Sequence, residues 1–129
     1  MDLIEETKSE EGFRGTVYKD TLGFDTIGYG TKLPISEDEA ALLLMSRMSD
    51  AKKALRDQLD DLYIKDEAWG VLYAMSYQLG VSGVLNFRKM IKALRLGFYD
   101  EAAHQMLDSL WAKQTPARAN RLADRMRVL

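Results

Sequence analysis

The twenty residues that begin at Glu11 constrain the fold of this chain more than any other stretch. An acidic segment ends at Glu11 and is followed at once by Gly12, a residue suited to stopping a helix. Two runs rich in strand-forming residues follow, at 16–18 and 24–27. Between them, Asp-Thr-Leu-Gly at 20–23 has the Asp and Gly positions typical of a type I turn. The stretch therefore predicts a helix end followed by a tight β-hairpin.

The predicted hairpin holds Asp20 and Thr26 above a helix that ends in Glu11. Cleaving a glycosidic bond requires a proton on the departing oxygen and stabilisation of an oxocarbenium-like carbon, and two carboxyl groups in different protonation states can supply both. Partial burial at the helix end would favour the protonated form of Glu11, whereas Asp20 in a polar turn would stay ionised. Thr26 offers a hydroxyl to orient a water. Taken alone, however, such carboxylates are usually no more than exposed surface.

The spacing of these residues resembles the active site of the T-even phage lysozymes, the bacteriophage endolysins of glycoside hydrolase family 24. Eight residues separate Glu11 from Asp20, five separate Asp20 from Thr26, and Ile-Gly-Tyr-Gly follows at 27–30, as in that family. The resemblance implies that Glu11 is the general acid and that Asp20 and Thr26 position the attacking water for an inverting hydrolysis. The implied bond is the β-1,4 link between N-acetylmuramic acid and N-acetylglucosamine in peptidoglycan, and the implied role is host lysis.

The rest of the chain shows apolar residues at helical spacing. Ser-Glu-Asp-Glu at 36–39 is a capping box that opens a long helix to about Leu55, with a stripe of Ala41, Leu44, Met48, Ala51 and Leu55. Four further helices are predicted, at about 68–79, 84–94, 99–111 and from Pro116 onward, the last capped by Thr115. The fold class is α+β, mostly α-helical.

The resemblance continues through this helical half. Tyr-Gln-Leu-Gly at 77–80, Asp-Glu-Ala-Ala at 100–103 and the segment from Trp111 to Ala119 follow the family's order. It implies one lysozyme-like domain over residues 1–129, with a hairpin lobe at about 12–35. A long helix would join that lobe to a helical lobe made of 1–11 and about 36–129.

Several side chains in the helical half are candidate substrate contacts by the same resemblance. Tyr77 and Gln78 match a Phe-Gln pair that lines the family's sugar groove, and Gln105 stands where the family has an amide. Tyr77 is equally well explained as core packing. Lys32 falls at an apolar cleft position, so any sugar contact there would come from backbone groups.

The ends of the chain carry opposite charge. Residues 1–12 hold five acidic side chains against one lysine, and 113–127 hold five basic side chains against one aspartate. The two ends attract each other or lie on solvated faces; the resemblance instead places Arg118 near Glu11, where it would favour the ionised glutamate. A nucleic-acid surface is disfavoured because the basic stripe has no interleaved aromatic residues and the chain has a net charge of −2.

The composition argues against several other classes of protein and of binding site. With no cysteine and one histidine, a disulfide framework and a His-based metal site are disfavoured, and we expect no cofactor or metal. The first residues lack a signal peptide pattern, and no stretch has the ~18 apolar residues of a membrane helix. We therefore expect a monomer made in the host cytoplasm that reaches the periplasmic wall through a holin or another carrier.

The segment after Gly30 is shorter than in the T-even enzyme. The third strand and small helix of the lower lobe are expected to be missing, which would leave a shallower cleft. Two alternatives follow: a wall-binding or virion-associated module that keeps the fold but hydrolyses poorly, and a helical interaction protein without sugar chemistry.

Overall fold

The computed structural model describes residues 2–129, which form two compact units. The sheet unit comprises the described residues up to Leu43, and the helical unit spans Leu44–Leu129. Seven helices and one three-stranded antiparallel sheet confirm the predicted α+β, mostly helical class for residues 2–129. The elements are α1 (Leu3–Glu11), β1 (Arg14–Lys19), β2 (Asp25–Gly28), β3 (Thr31–Lys32), α2 (Glu37–Gln58), α3 (Asp66–Leu85), α4 (Arg88–Arg95), α5 (Tyr99–Leu107), α6 (Leu110–Gln114) and α7 (Pro116–Arg127).

Helix α1 begins and ends where its sequence indicates. The Asp2 carboxylate accepts a hydrogen bond from the Glu5 amide at 2.8 Å and so caps the first turn. Gly12 follows the last helical residue with φ of 70° and donates its N–H to the Lys8 carbonyl at 2.9 Å. A positive φ is free of steric cost only for glycine, so the chain leaves the helix at Glu11. The predicted helix end is confirmed.

The sheet follows the order β1-β2-β3, with both pairs antiparallel. The turn between β1 and β2 closes with the Gly23 N–H donated to the Asp20 carbonyl at 3.0 Å, as the type I turn prediction requires. The expectation that the third strand is missing is wrong, because Thr31 and Lys32 pair with Ile27 and Thr26. Glycines with positive φ on either side of Tyr29 reverse the chain within so few residues that β3 is only two residues long.

Helix α2 opens with the predicted capping box. The Glu39 amide donates to the Ser36 hydroxyl at 3.1 Å, and the Ser36 amide donates to the Glu39 carboxylate at 2.9 Å. The helix begins in the sheet unit and ends in the helical unit. Its predicted apolar stripe is buried in a graded way: Ala41 and Leu44 are exposed, Met48 and Ala51 are half-buried, and Leu55 is fully buried.

The core of the structure lies in the helical unit. Helix α7 packs against α3, α5 and α6, and α4 packs against α5. Because each of these helices is apolar on the side that meets its neighbours, together they enclose an apolar core. Four methionines are fully buried there together with leucine and valine side chains, namely Met75, Met90, Met106, Met126, Leu55, Leu72, Leu94, Val71 and Val84.

Three of the predicted helices differ in detail. The break predicted at Gly80 is present, since that residue has φ of 76° and ψ of 163° inside α3. The helix predicted over 84–94 is divided, because Val84 belongs to the end of α3 and Phe87 precedes α4.

The helix predicted over 99–111 is likewise divided, at residues 108–109, where Ser109 caps α6. Pro116 opens α7 as predicted. Thr115 does not cap α7 with its side chain, because its hydroxyl donates to the Trp111 carbonyl at 3.0 Å instead.

Candidate functional site

Glu11 lies at the end of α1 with its carboxyl group against the backbone of Gly30. A Cβ atom placed on Gly30 would lie 2.7 Å from the carboxyl carbon of Glu11, closer than real Cβ contacts allow. Tyr29 reinforces this arrangement, because its ring packs against Phe13 with centroids 5.5 Å apart and carries the Lys8 ammonium 5.6 Å from its centre. The turn between β2 and β3 therefore seats the glutamate.

Glu11 is exposed, so the partial burial expected for a proton-holding acid is not a property of the free chain. Only a bound molecule that covers the Glu11 carboxyl group could remove water from it.

Both oxygens of the Asp20 carboxylate have partners. Oδ1 accepts the backbone N–H groups of Leu22 and Phe24 at 2.9 and 2.8 Å, and Oδ2 forms an ion pair with the Lys32 ammonium. Only 14% of the Asp20 side chain is exposed, whereas the Lys32 side chain is 55% exposed. The turn from β1 to β2 and the short strand β3 together hold this carboxylate in one orientation.

These contacts determine the charge of the pair. The hydrogen bond from Lys32, followed by that from the Phe24 amide, lowers the pKa of Asp20 below its usual value of 3.8. The hydrogen bond to Asp20 raises the pKa of Lys32 above 10.5, and the negative charge of Glu11 adds to that rise. Asp20 is therefore ionised at neutral pH.

Thr26 lies on the central strand, directly opposite Tyr18 on one side and Lys32 on the other. Its side chain is fully buried, and its hydroxyl donates to the Phe24 carbonyl at 2.8 Å. Because the hydroxyl hydrogen is used, Thr26 can assist a water only by accepting a hydrogen bond from it. Its role in positioning a water stays a prediction.

The remaining candidate residues lie in the helical unit. Gln78 is exposed, and its amide oxygen accepts a hydrogen bond from the Trp111 indole at 2.9 Å. Gln105 and Trp111 line a groove of about 680 Å³, and Gln105 also donates to the Glu101 carboxylate at 2.8 Å. Tyr77 is 47% exposed, which disfavours the interpretation that it is only core packing.

Arg118 is half-buried on α7, in a different unit from Glu11, and its predicted position near that glutamate stays a prediction.

Sequence reasoning missed three features of the site. It named Gly30 only as part of the Ile-Gly-Tyr-Gly motif, although its missing side chain also makes room for Glu11. It assigned Lys32 to backbone contacts, although its ammonium binds Asp20. It did not pair Gln78 with Trp111. The opposite charges of Asp20 and Lys32 can be read from the sequence, but the strand that brings the two residues together was not predicted.

No helix within residues 2–129 combines the length and the apolar character that crossing a membrane would require.

Known proteins have sequences similar to this chain over most of its length. The chain is 29% identical over 154 residues to the pre-baseplate central spike protein Gp5 of Enterobacteria phage T4. That match covers 95% of this chain but only 27% of the spike protein. The chain is also 26% and 27% identical to probable T4-type lysozymes 1 and 2 of Dictyostelium discoideum, with 89% of this chain and 87% of each relative covered.

The sequence profile of the phage lysozyme family matches residues 8–127. The matched range begins before Glu11 and includes the whole sheet and every later helix through the end of α7. The chain therefore belongs to the phage lysozyme family.

Proposed function

We propose that this protein is a lysozyme-type peptidoglycan hydrolase that cleaves the β-1,4 bond between N-acetylmuramic acid and N-acetylglucosamine. The observation that carries the proposal is the pairing of two unlike carboxyl groups in one small unit. Asp20 is held ionised by two amides and an ammonium, while Glu11 lies at a helix end with no hydrogen-bond donor on its carboxylate among the described residues. Membership of the phage lysozyme family supports the same chemistry.

Glu11 is the general acid in this proposal. It would donate its proton to the glycosidic oxygen as the bond breaks. Because Glu11 is exposed in the free chain, the bound sugar itself would displace water from the carboxyl group and favour its protonated form. Gly30 leaves room for the carboxyl group, because a side chain at that position would collide with it.

Asp20 is the group that orients the attacking water. A carboxylate has about four lone-pair sites, two on each oxygen. The amides of Leu22 and Phe24 use both sites on Oδ1, and Lys32 uses one on Oδ2. One acceptor site on Oδ2 therefore remains for a water, and an ionised carboxylate with such a site can act as a general base.

The helical unit would supply contacts to the glycan. Its groove combines apolar and aromatic walls with a few polar groups, Gln105 among them, as carbohydrate and ligand sites do. Tyr77 is exposed enough to pack its ring on a sugar face and to hydrogen-bond through its hydroxyl. Gln78, Arg118 and the backbone groups of Lys32 complete the proposed set of substrate contacts.

The experiment that tests the proposal compares wild type, Glu11→Gln and Glu10→Gln on purified peptidoglycan, with release of reducing sugar as the measurement. Glu10 is the neighbouring exposed glutamate on α1, so its variant controls for the loss of one negative charge. We expect Glu11→Gln to lose activity by about 10²–10⁴-fold, the usual contribution of a general acid, and Glu10→Gln to stay near wild type. Equal rates for all three proteins would overturn the proposal.

The stereochemistry is a separate part of the proposal. Water held by Asp20 would attack from the face opposite the departing sugar, and the product would have inverted configuration. Analysis of the product anomer immediately after cleavage checks this. Retained configuration would instead make Asp20 the nucleophile.

A second candidate function is favoured by the similarity to the T4 spike protein. The chain spans about a quarter of the length of that relative, which is named for a place in the baseplate rather than for catalysis. On this alternative, the domain would bind the wall as part of a larger assembly and would hydrolyse it poorly. Binding to purified peptidoglycan without release of reducing sugar would select this function.

A further inference from the structure

The ammonium of Lys32 reaches the candidate site from the shortest strand of the sheet. Residue 32 pairs directly with Thr26 across β2 and β3, and directly opposed residues have their side chains on the same face of a sheet. On that face the Lys32 ammonium binds Oδ2 of Asp20. We propose that Lys32 is a positioning residue that holds the Asp20 carboxylate so that its one free lone pair points at the attacking water. This inference rests on the proposed function.

The argument begins with how the carboxylate is fixed. The two amide donors both bind Oδ1, so they fix one oxygen and leave the other to swing about it. Lys32 provides the contact that fixes Oδ2. Because the water site is on Oδ2, the orientation of the water depends on Lys32 more than on the two amides.

The surroundings of the pair support a role in chemistry rather than in stability. Lys32 is 55% exposed, and exposed ion pairs contribute little to the free energy of unfolding. The other charged or titratable groups of the sheet unit that act on Lys32 are Glu11 from α1 and Tyr18 from β1. Lys32 therefore lies within the electrostatic field of both proposed catalytic carboxyl groups.

The same sheet offers a matched control pair. Lys19 on β1 binds the Asp25 carboxylate on β2 at 2.6 Å, and both side chains are more than half exposed. This second lysine–aspartate pair has the same chemistry and lies on neighbouring strands, but the Lys19 ammonium pairs with Asp25 and not with the Asp20 carboxylate. Removing it reports the effect of losing a lysine from the sheet while the Lys32–Asp20 ion pair is kept.

The first part of the experiment measures kcat and KM from pH 3 to pH 9 on soluble peptidoglycan fragments for four proteins: wild type, Lys32→Leu, Lys32→Arg and Lys19→Leu. We expect kcat of Lys32→Leu to fall roughly ten- to hundredfold, with little change in KM, since misplacing a reacting group costs rate rather than binding. The acid limb of its kcat profile should move to higher pH. Lys32→Arg should recover most of the rate, and Lys19→Leu should match wild type.

The second part does not depend on activity. The carboxyl carbon of Asp20 is titrated by NMR in the same variants, with Asp61 as an internal reference because Arg95 binds it at 2.7 Å in the other unit. We expect Lys32→Leu to raise the midpoint for Asp20 and to leave that of Asp61 unchanged. Thermal melting of each variant checks that it is folded.

The possible outcomes distinguish failure of the proposed role of Lys32 from failure of the proposed hydrolase function. If wild type hydrolyses nothing, the proposed function fails, and the titration still shows whether Lys32 clamps Asp20. If wild type is active but Lys32→Leu keeps its kcat and its acid limb, the inference is overturned. An unchanged Asp20 midpoint in Lys32→Leu would overturn it as well, because the ion pair would then not hold the carboxylate in solution.

Discussion

The sheet unit and the helical unit are stabilised in different ways. Every buried apolar side chain among residues 2–129 belongs to the helical unit, and the only buried side chain of the sheet unit within that range is Thr26, which is polar. The sheet unit instead leaves large apolar side chains exposed, including Leu3, Phe13, Leu22 and Phe24. Its order comes from turns, helix caps and ion pairs, which are directional but weak.

The difference explains where the proposed chemistry lies. A packed apolar centre favours burial of uncharged groups and penalises an isolated charge. The sheet unit has no such centre within the described residues, so Asp20 and Lys32 can remain charged there and Glu11 can remain exposed to water. The helical unit contributes instead a firm framework and a groove.

The largest difference should appear when leucine is shortened in each unit. Leu72 is fully buried on α3, and Leu22 is 80% exposed in the turn after β1. We expect Leu72→Ala to lower the free energy of unfolding by about 2–5 kcal/mol, because a cavity replaces packed atoms. We expect Leu22→Ala to change it by no more than about 0.5 kcal/mol. Urea unfolding checks both, and similar losses in the two variants would contradict the comparison.

The next prediction separates backbone strain from displacement of Glu11. Gly28 and Gly30 have φ of 70° and 73°, so alanine at either position adds strain of about 1–2 kcal/mol. Only at Gly30 does the new methyl group collide with the Glu11 carboxyl group. The nearest atom to a methyl group added at Gly28 is 4.0 Å away, which is an ordinary contact.

We therefore expect Gly30→Ala to reduce peptidoglycan hydrolysis by about a further hundredfold relative to Gly28→Ala, as a misplacement near 1 Å can do. Rates on purified peptidoglycan, compared with the stability of each variant, provide the measurement. Equal rates would show that the seat for Glu11 has no catalytic importance.

Helix caps offer a smaller test with the same substitution in each unit. The Ser36 hydroxyl accepts from the Glu39 amide at the exposed start of α2. The Ser109 hydroxyl accepts from the Ala112 amide and also donates to the Met106 carbonyl, in a partly buried position. Loss of a serine cap costs about 0.5–2 kcal/mol, and we expect Ser109→Ala near the top of that range and Ser36→Ala near the bottom. Chemical unfolding measures both, and the reverse order would refute the role of burial.

The smallest effect concerns acid pH and compares one aspartate ion pair from each unit. Lys32 lowers the pKa of Asp20, and Arg95 lowers the pKa of Asp61, each through a hydrogen bond first. A lowered pKa in the folded state means that the stabilisation is present above pH 3.8 and is lost as pH falls through the lowered value. Lys32 has a raised pKa, so its contribution is lost only above pH 10.5.

Both pairs should therefore be intact from about pH 4 to pH 10. The amide proton shift of Phe24 should follow Asp20, because that amide donates to its carboxylate. The Arg95 side-chain N–H shift should follow Asp61. An inflection for either at or above pH 3.8 would contradict the prediction.

Local chemistry made much of the fold predictable. Gly12, the turn from Asp20 to Gly23 and the Ser36–Glu39 capping box each specify a backbone geometry within four residues, and all three are present. The breaks at 86–87 and 108–109 were not predicted, because an apolar stripe continues across a short interruption without a change of period. Strand β3 was not predicted because two residues are too few to show an alternating pattern.

The candidate site was predictable only in part for a related reason. The spacing of Glu11, Asp20 and Thr26 is readable along the chain. The contact between Lys32 and Asp20 depends on the pairing register of β2 and β3, and the contact of Glu11 with Gly30 depends on how a helix end meets a turn. Such contacts between segments leave no periodic signal in the sequence.

The four fully buried methionines have a consequence for how this chain can tolerate substitution. A thioether side chain is unbranched and flexible, so it adapts its shape when a neighbouring residue is replaced by another of similar volume. Exchanges between leucine and methionine usually cost less than about 1.5 kcal/mol for this reason. The helical framework can therefore absorb sequence drift one residue at a time, whereas the glycine beneath Glu11 has no substitute of comparable size.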